Sequence, residues 1–198
     1  MSDHKLYILG KILKRDSLSV AVVGSRTPTR YGIEIAYKFS YELAKNKVTI
    51  VSGLARGIDT VAHKAALDAK GRTIAVLGSG IDVIYPPENK SLAFKIIENG
   101  ALISQFPPKT PPYGKNFLMR NALISKLSSA VLVVEGKRRS GTLSTATYAA
   151  NQGREVFAIP GPLNSPLSEL PLYLIENGAR VATKPEDILE YIRFLPRG

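Results

Sequence analysis

Residues 20–32 read VAVVGSRTPTRYG, four apolar residues that turn abruptly into glycine, serine and two arginines. A β-branched run with no polar alternation reads as a strand buried on both faces, the mark of a parallel sheet. Such a strand can only be covered by helices on either side. Its end offers bare backbone at Gly24, a hydroxyl at Ser25 and a guanidinium at Arg26. Glycine lets backbone N–H groups approach a ligand closely, and arginine presents a bidentate fork to phosphate. The stretch therefore implies both a fold and an anionic ligand.

Working outward, the same kind of apolar run recurs. Strands are expected at 19–24, 48–53, 72–78, 101–106, 130–136, 155–161 and 179–183. Helical periodicity falls between them, at 32–46, 59–70, 89–98, 117–128, 142–152, 171–177 and 185–193. Asp59 is the expected N-cap of the second helix. Pro107 to Asn116 is the longest irregular stretch. The regular alternation gives an α/β class: an extended Rossmann-like, doubly wound, mostly parallel sheet with helices on both faces. The expectation is a single domain over 1–198, its core at about 6–192.

Composition narrows the chemistry. The chain has 198 residues, with 27 Lys and Arg against 16 Asp and Glu, for a net charge of +11. That excess favours a polyanionic partner, and its densest cluster is Gly136-Lys137-Arg138-Arg139-Ser140-Gly141. A basic surface with no such partner is the plain alternative. There is no cysteine, so neither disulfides nor thiolate chemistry arise. His4 and His63 alone make no zinc site, and no metal or cofactor is expected. No apolar run approaches the roughly 18 residues of a membrane span. The first residues, MSDHKLYILGKILKRD, lack a signal-peptide core, so a cytoplasmic protein is expected.

In open parallel sheets, ligands sit at the carboxyl ends of the strands. Nearly every expected strand here ends in glycine. Gly78-Ser79-Gly80 starts a dinucleotide fingerprint, but Val83 stands where its third glycine belongs. No P-loop is present. Ser25 and Ser52 have no evident histidine base, since His63 falls inside a helical pattern. Ser140-Gly141-Thr142 at a helix start reads equally as an anion nest or as a simple N-cap.

The ordered blocks VAVVGSR, IVSGLARGIDTVAH, TIAVLGSGIDVIYP, LISQFP, FLMRN, VLVVEGKRRSGTLSTA, GREVFAIPG and LIENGA resemble the DNA-processing protein A (DprA/Smf) family over almost the whole chain. The resemblance implies a nonenzymatic, single-stranded DNA-binding protein. It further implies a role in natural transformation, loading of the RecA recombinase and a homodimer. The helical domain and the winged helix that flank many members have no room here, so a core-only version is expected. By the resemblance, Arg26 of Gly24-Ser25-Arg26 contacts phosphate, and Ser52, Gly53, Arg56 and Gly57 continue the pocket. Phe117, Arg120 and Asn121 match one family block, and Ser140, Gly141 and Thr142 another. Phe106 and Lys109 lie near the expected groove, where an aromatic could stack on a base. Lys137, Arg138 and Arg139 add attraction to the DNA backbone.

The chain departs from the family pattern at Gln105, where glutamate is usual, and at Ala122, where arginine is usual. Leu170 and Leu172 stand where glycine and asparagine are expected. The departures leave open a lower affinity or a different ligand. The alternative is a nucleotide-ligand sensor or a phosphoribohydrolase of the LOG type on the same scaffold, with Glu135 as the only well-placed carboxylate. A third reading is a protein–protein adaptor. Leu170, Leu172, Leu174 and Ile175 fit a dimer surface and fit core packing equally well.

Overall fold

A computed structural model describes residues 5–195. His4 lies outside the described residues. The chain opens with an edge strand, β1 (Tyr7–Gly10), and then alternates. The order is β2 (Ser19–Val23), α1 (Arg30–Lys45), β3 (Thr49–Ser52), α2 (Ile58–Asp68), β4 (Thr73–Leu77) and α3 (Lys90–Asn99). It continues with β5 (Ala101–Ser104), α4 (Gly114–Lys126), β6 (Ala130–Val133), α5 (Gly141–Asn151) and β7 (Glu155–Ala158). It closes with α6 (Glu169–Glu176), β8 (Arg180–Val181) and α7 (Pro185–Arg193).

One sheet runs in the order β1-β5-β4-β3-β2-β6-β7-β8. All neighbours are parallel except β1, which runs antiparallel along β5 with Ile8 opposite Ile103. The chain winds outward from β2 through β5, then returns to the other side of β2 with β6. The doubly wound α/β expectation holds.

The pleat sorts side chains to two faces. Val20 and Val22 point into a layer with Phe39 and Leu43 of α1, Ile58 and Ala62 of α2, and Ile188 and Ile192 of α7. Ala21 and Val23 point the other way, onto Ile124 of α4, Ala146 and Ala149 of α5, and Leu170 of α6. α3 packs Leu92 and Ile96 on Leu77 and Leu102. β2 is buried at every position, which is why its sequence shows no alternation.

Three expectations need correction. β1 was not foreseen, because a four-residue edge strand with a mostly exposed face has no buried period to reveal it. Asp59 is not an N-cap. α2 starts at Ile58 after Gly57, whose φ is +72°, and Asp59 turns back to accept from the N–H groups of Gly53 (3.1 Å) and Ala55 (3.3 Å). The expected strands at 130–136 and 155–161 stop at Val133 and Ala158, although Val134 and Ile159 stay buried in the core beyond the ladder. Among the described residues, no helix is long and apolar enough to cross a membrane.

His63 is fully buried on α2 as a packed helix residue. Thr73 Oγ1 donates to the Ile50 carbonyl (2.8 Å), so the His63 Nδ1–H must be the donor in its 2.6 Å bond to Thr73 Oγ1. Nε2 is then a bare, buried acceptor with no partner among the described residues. Burial, helped by the Arg120 charge, pushes His63 down from 6.5 to about 3. Between those values the unfolded chain takes up a proton that the native protein refuses. Stability therefore falls as pH drops through this window, by up to about 1.4 kcal/mol per pH unit. Urea unfolding of wild type and His63→Gln, from about pH 7 to about pH 4, should show a shallower acid slope in the variant. Identical slopes would show that His63 is not the titrating group.

Candidate functional site

β2 and β6 are neighbours, but β2 leads to a helix of one layer (α1) and β6 to a helix of the other (α5). The two connections therefore splay apart, and a crevice opens at the carboxyl ends of the strands. Its volume is about 600 Å³. Gly24 to Thr27 form one wall, the start of α4 another, and Gly136, Lys137, Arg139 and Ser140 to Thr142 the third.

The first wall is held from behind. A Cβ at Gly24 would stand 2.7 Å from the Ile58 side chain, so the loop can approach α2 only as glycine. The Ser25 carbonyl accepts from the Ile58 N–H (3.1 Å), which ties this loop to the start of α2. Thr29 caps α1 by accepting from the Gly32 N–H (3.1 Å). Thr29 in turn donates its own N–H (2.9 Å) and hydroxyl to Glu135. Glu135 is buried after β6, and a side chain at Gly32 would collide with its carboxylate. The carboxylate thus bolts the β2 loop to the β6 loop.

The second wall rests on Arg120. Its guanidinium is buried, and Nη1 donates to the carbonyls of Gly53 and of Val76 (3.1 Å). A Cβ at Gly53 would occupy the guanidinium's place. Burial pushes Arg120 below its ordinary pKa, opposed by the Asp59 charge and aided by Arg26. Burial also raises Asp59, with Arg120 and the loop N–H groups opposing. Phe117 lies beside this group. Its ring centroid is 5.7 Å from the Arg120 guanidinium carbon and 5.5 Å from that of Arg26.

The third wall is the start of α5. Asn121 donates to the Gly141 carbonyl (3.0 Å) and to Ser144 Oγ (2.9 Å), joining α4 to α5. Thr142 Oγ1 donates to the Gly24 carbonyl (3.2 Å). Among the described residues Ser140 Oγ has no hydrogen-bond partner, although it is buried at the helix start and its residue lines the crevice.

The structure brings Gly24, Ser25, Arg26, Phe117, Arg120, Asn121, Lys137, Ser140, Gly141 and Thr142 together around one crevice. The other expected residues stand elsewhere. Ser52 is buried and donates to the Val22 carbonyl (2.7 Å). Gly53 and Gly57 lie behind the wall as close-approach positions. Arg56 points to Glu88 in an exposed ion pair. Phe106 is 8% exposed, so its ring has no free face for a base. Lys109 is exposed at φ +65°, its N–H on Asp82 (2.7 Å) and outside the crevice. Arg138 lies over the Tyr173 ring, also outside. The positioning roles of Thr29, Glu135 and Asp59 had no local signal, since Thr29 and Glu135 meet across 106 residues.

Fold and crevice together define a doubly wound α/β protein with a glycine-lined, cationic cleft at its switch point. The chain belongs to the DNA recombination-mediator protein A family, whose model matches residues 2–193. It is 51% identical to Protein Smf of Escherichia coli (strain K12), over 96% of this chain and 51% of that protein. It is 46% identical to the DNA processing protein DprA of Bacillus subtilis (strain 168), over 86% of this chain and 58% of that protein. The chain thus spans little more than half the length of these curated relatives. The solved structure of DNA processing protein A from Helicobacter pylori, a protein with a single-stranded DNA binding mode, superposes with a TM-score of 0.87 at 32% identity. That match covers 95% of this chain and 86% of the other. A molybdenum cofactor binding protein from Rippkaea orientalis shares the fold alone, with a TM-score of 0.61 at 22% identity, over 88% of this chain and 93% of that one.

Replacing Arg120 by Met would strand the Gly53 and Val76 carbonyls and leave Asp59 without its opposing charge. The expected loss of stability is about 3–5 kcal/mol by urea unfolding. Arg26→Met, at an exposed position, should change stability by less than about 0.5 kcal/mol. Equal effects would mean that Arg120 carries no structural weight.

Proposed function

We propose that the crevice binds single-stranded DNA through its phosphates and that the protein works by binding, without catalysing a reaction. The carrying observation is a charge imbalance. Arg26, Lys137 and Arg139 line the crevice, all exposed, and none has an ion-pair partner among the described residues. Two further features support the reading. The start of α5, at Gly141 and Thr142, lines the same space, and the first N–H groups of a helix favour an anion. Phe117 is half-buried beside Arg26, giving a flat apolar surface next to a phosphate site. Family membership extends the proposal to loading of RecA recombinase on the strand and to action as a homodimer.

The crevice volume favours one second reading, a bound mononucleotide, because about 600 Å³ is the size of a small-ligand site. Hydrolysis of such a ligand would need a free carboxylate. Glu135 is 2% exposed, with its oxygens held by Thr29. Incubation with nucleoside monophosphates should release no base, and release of a base would replace the DNA reading.

Fluorescence anisotropy with a labelled oligothymidine, beside its duplex form, tests the main reading. Binding should prefer the single strand and weaken with salt, with a log–log slope of about −0.7 per neutralised phosphate. Arg26→Ala should weaken binding about tenfold and flatten the slope by about one contact. Salt-independent binding, or an Arg26→Ala protein that binds like wild type, would overturn the assignment.

A further inference from the structure

Lys137, Arg138 and Arg139 are consecutive and exposed, yet only Lys137 and Arg139 line the crevice. The reason lies in the segment that leads into α6. The Gly136 N–H donates to the Leu167 carbonyl (2.7 Å), and the Leu170 N–H donates back to the Gly136 carbonyl (3.0 Å). The Arg138 N–H donates to the Glu169 carboxylate (3.2 Å). The Arg138 guanidinium carbon sits 4.1 Å from the Tyr173 ring centroid, against 5.5 Å and 5.7 Å for the two arginines beside Phe117. At 4.1 Å the guanidinium is within cation–π range of the ring.

Leu170 makes this arrangement rigid. It is fully buried, and a Cβ on Gly136 would stand 3.0 Å from Leu170 Cδ2. The leucine side chain fills the space that residue 136 leaves free. This is one of the two positions where the family pattern has a glycine and an asparagine. Here an apolar anchor locks the first turn of α6 onto the basic loop.

We infer that α6 fixes how many cations the basic loop offers to DNA, with Glu169 and Tyr173 holding Arg138 out of the crevice. The inference rests on the reading that the crevice binds single-stranded DNA. Arg138 is an unused cation in this state, and Tyr173 is a positioning residue for it. Freeing Arg138 would bring a third guanidinium or ammonium group of the loop within reach of the strand.

The test is the salt dependence of oligothymidine binding in wild type, Tyr173→Ala, Tyr173→Phe, Arg138→Ala and the Tyr173→Ala/Arg138→Ala pair. Arg138→Ala should keep the wild-type slope. Tyr173→Ala should steepen it by about 0.7, one added phosphate contact. Tyr173→Phe should behave as wild type, and the double variant should return to the wild-type slope. Tyr173→Leu, which keeps an apolar side chain against the core but carries no ring, is a second releasing variant should Tyr173→Ala fail to fold. A flatter slope in Arg138→Ala would overturn the inference, because Arg138 would already be bound to phosphate. A Tyr173→Ala slope no steeper than wild type would do the same. Absence of salt-sensitive binding in wild type sinks the underlying DNA reading instead. The Arg138 placement has its own readout in the ring-current shift of its side-chain resonances. That shift should be present in the free protein and survive addition of oligothymidine, and an unshifted Arg138 rejects the inference whether or not DNA binds.

Discussion

The site depends on one buried guanidinium. Arg120 reaches from α4 to the carbonyls of Gly53 and Val76, at the ends of β3 and β4. Parallel strands leave their last carbonyls at the same edge of the sheet where a ligand binds. Those oxygens carry partial negative charge, and Asp59 adds a carboxyl to the same place. Uncompensated, they would oppose any anion in the crevice. A buried cation donating to both carbonyls cancels that field at the cost of its own desolvation. The exposed cation Arg26 then stands free to face outward, with the Phe117 ring beside both. Replacing Gly53 by any other residue would close the path of the guanidinium. The glycine and the arginine are therefore one structural unit, 67 residues apart.

A second long-range bolt sets the width of the crevice. Glu135 follows β6, and Thr29 begins α1 after β2. Their bond joins the two loops at the point where the chain changes its winding direction. Gly32 must lack a side chain for the carboxylate to fit. Thr142 adds a third link by donating to the Gly24 carbonyl. The walls are thus held by hydrogen bonds behind the ligand space, and their exposed cations keep their freedom.

The fold was legible because parallel strands buried on both faces write an unbroken apolar run into the chain, as in Val20 to Val23. β1 escaped notice because three of its four residues are exposed and its pairing with β5 leaves no local mark. The site was legible only in part. Strand ends could be located, but the direction of each side chain beyond them could not. Ser52 and Phe106 turn into the core, although both lie where a ligand edge was expected. Arg56 is drawn off by Glu88, which lies 32 residues further along, and Arg138 by Tyr173 on α6. A count of basic residues therefore overstates the cations available to a phosphate, since capture by a distant partner leaves no trace near the arginine itself.

The same logic separates polymer binding from hydrolysis on one scaffold. A glycine-lined crevice at a switch point receives a phosphate equally well from a mononucleotide or a strand. The distinction lies in what the nearest carboxylate is free to do. Glu135 is buried and accepts both Thr29 donors. Freeing the carboxylate would break this link between the start of α1 and the β6 loop. In this chain the Glu135 carboxylate is committed to holding the wall of the crevice together.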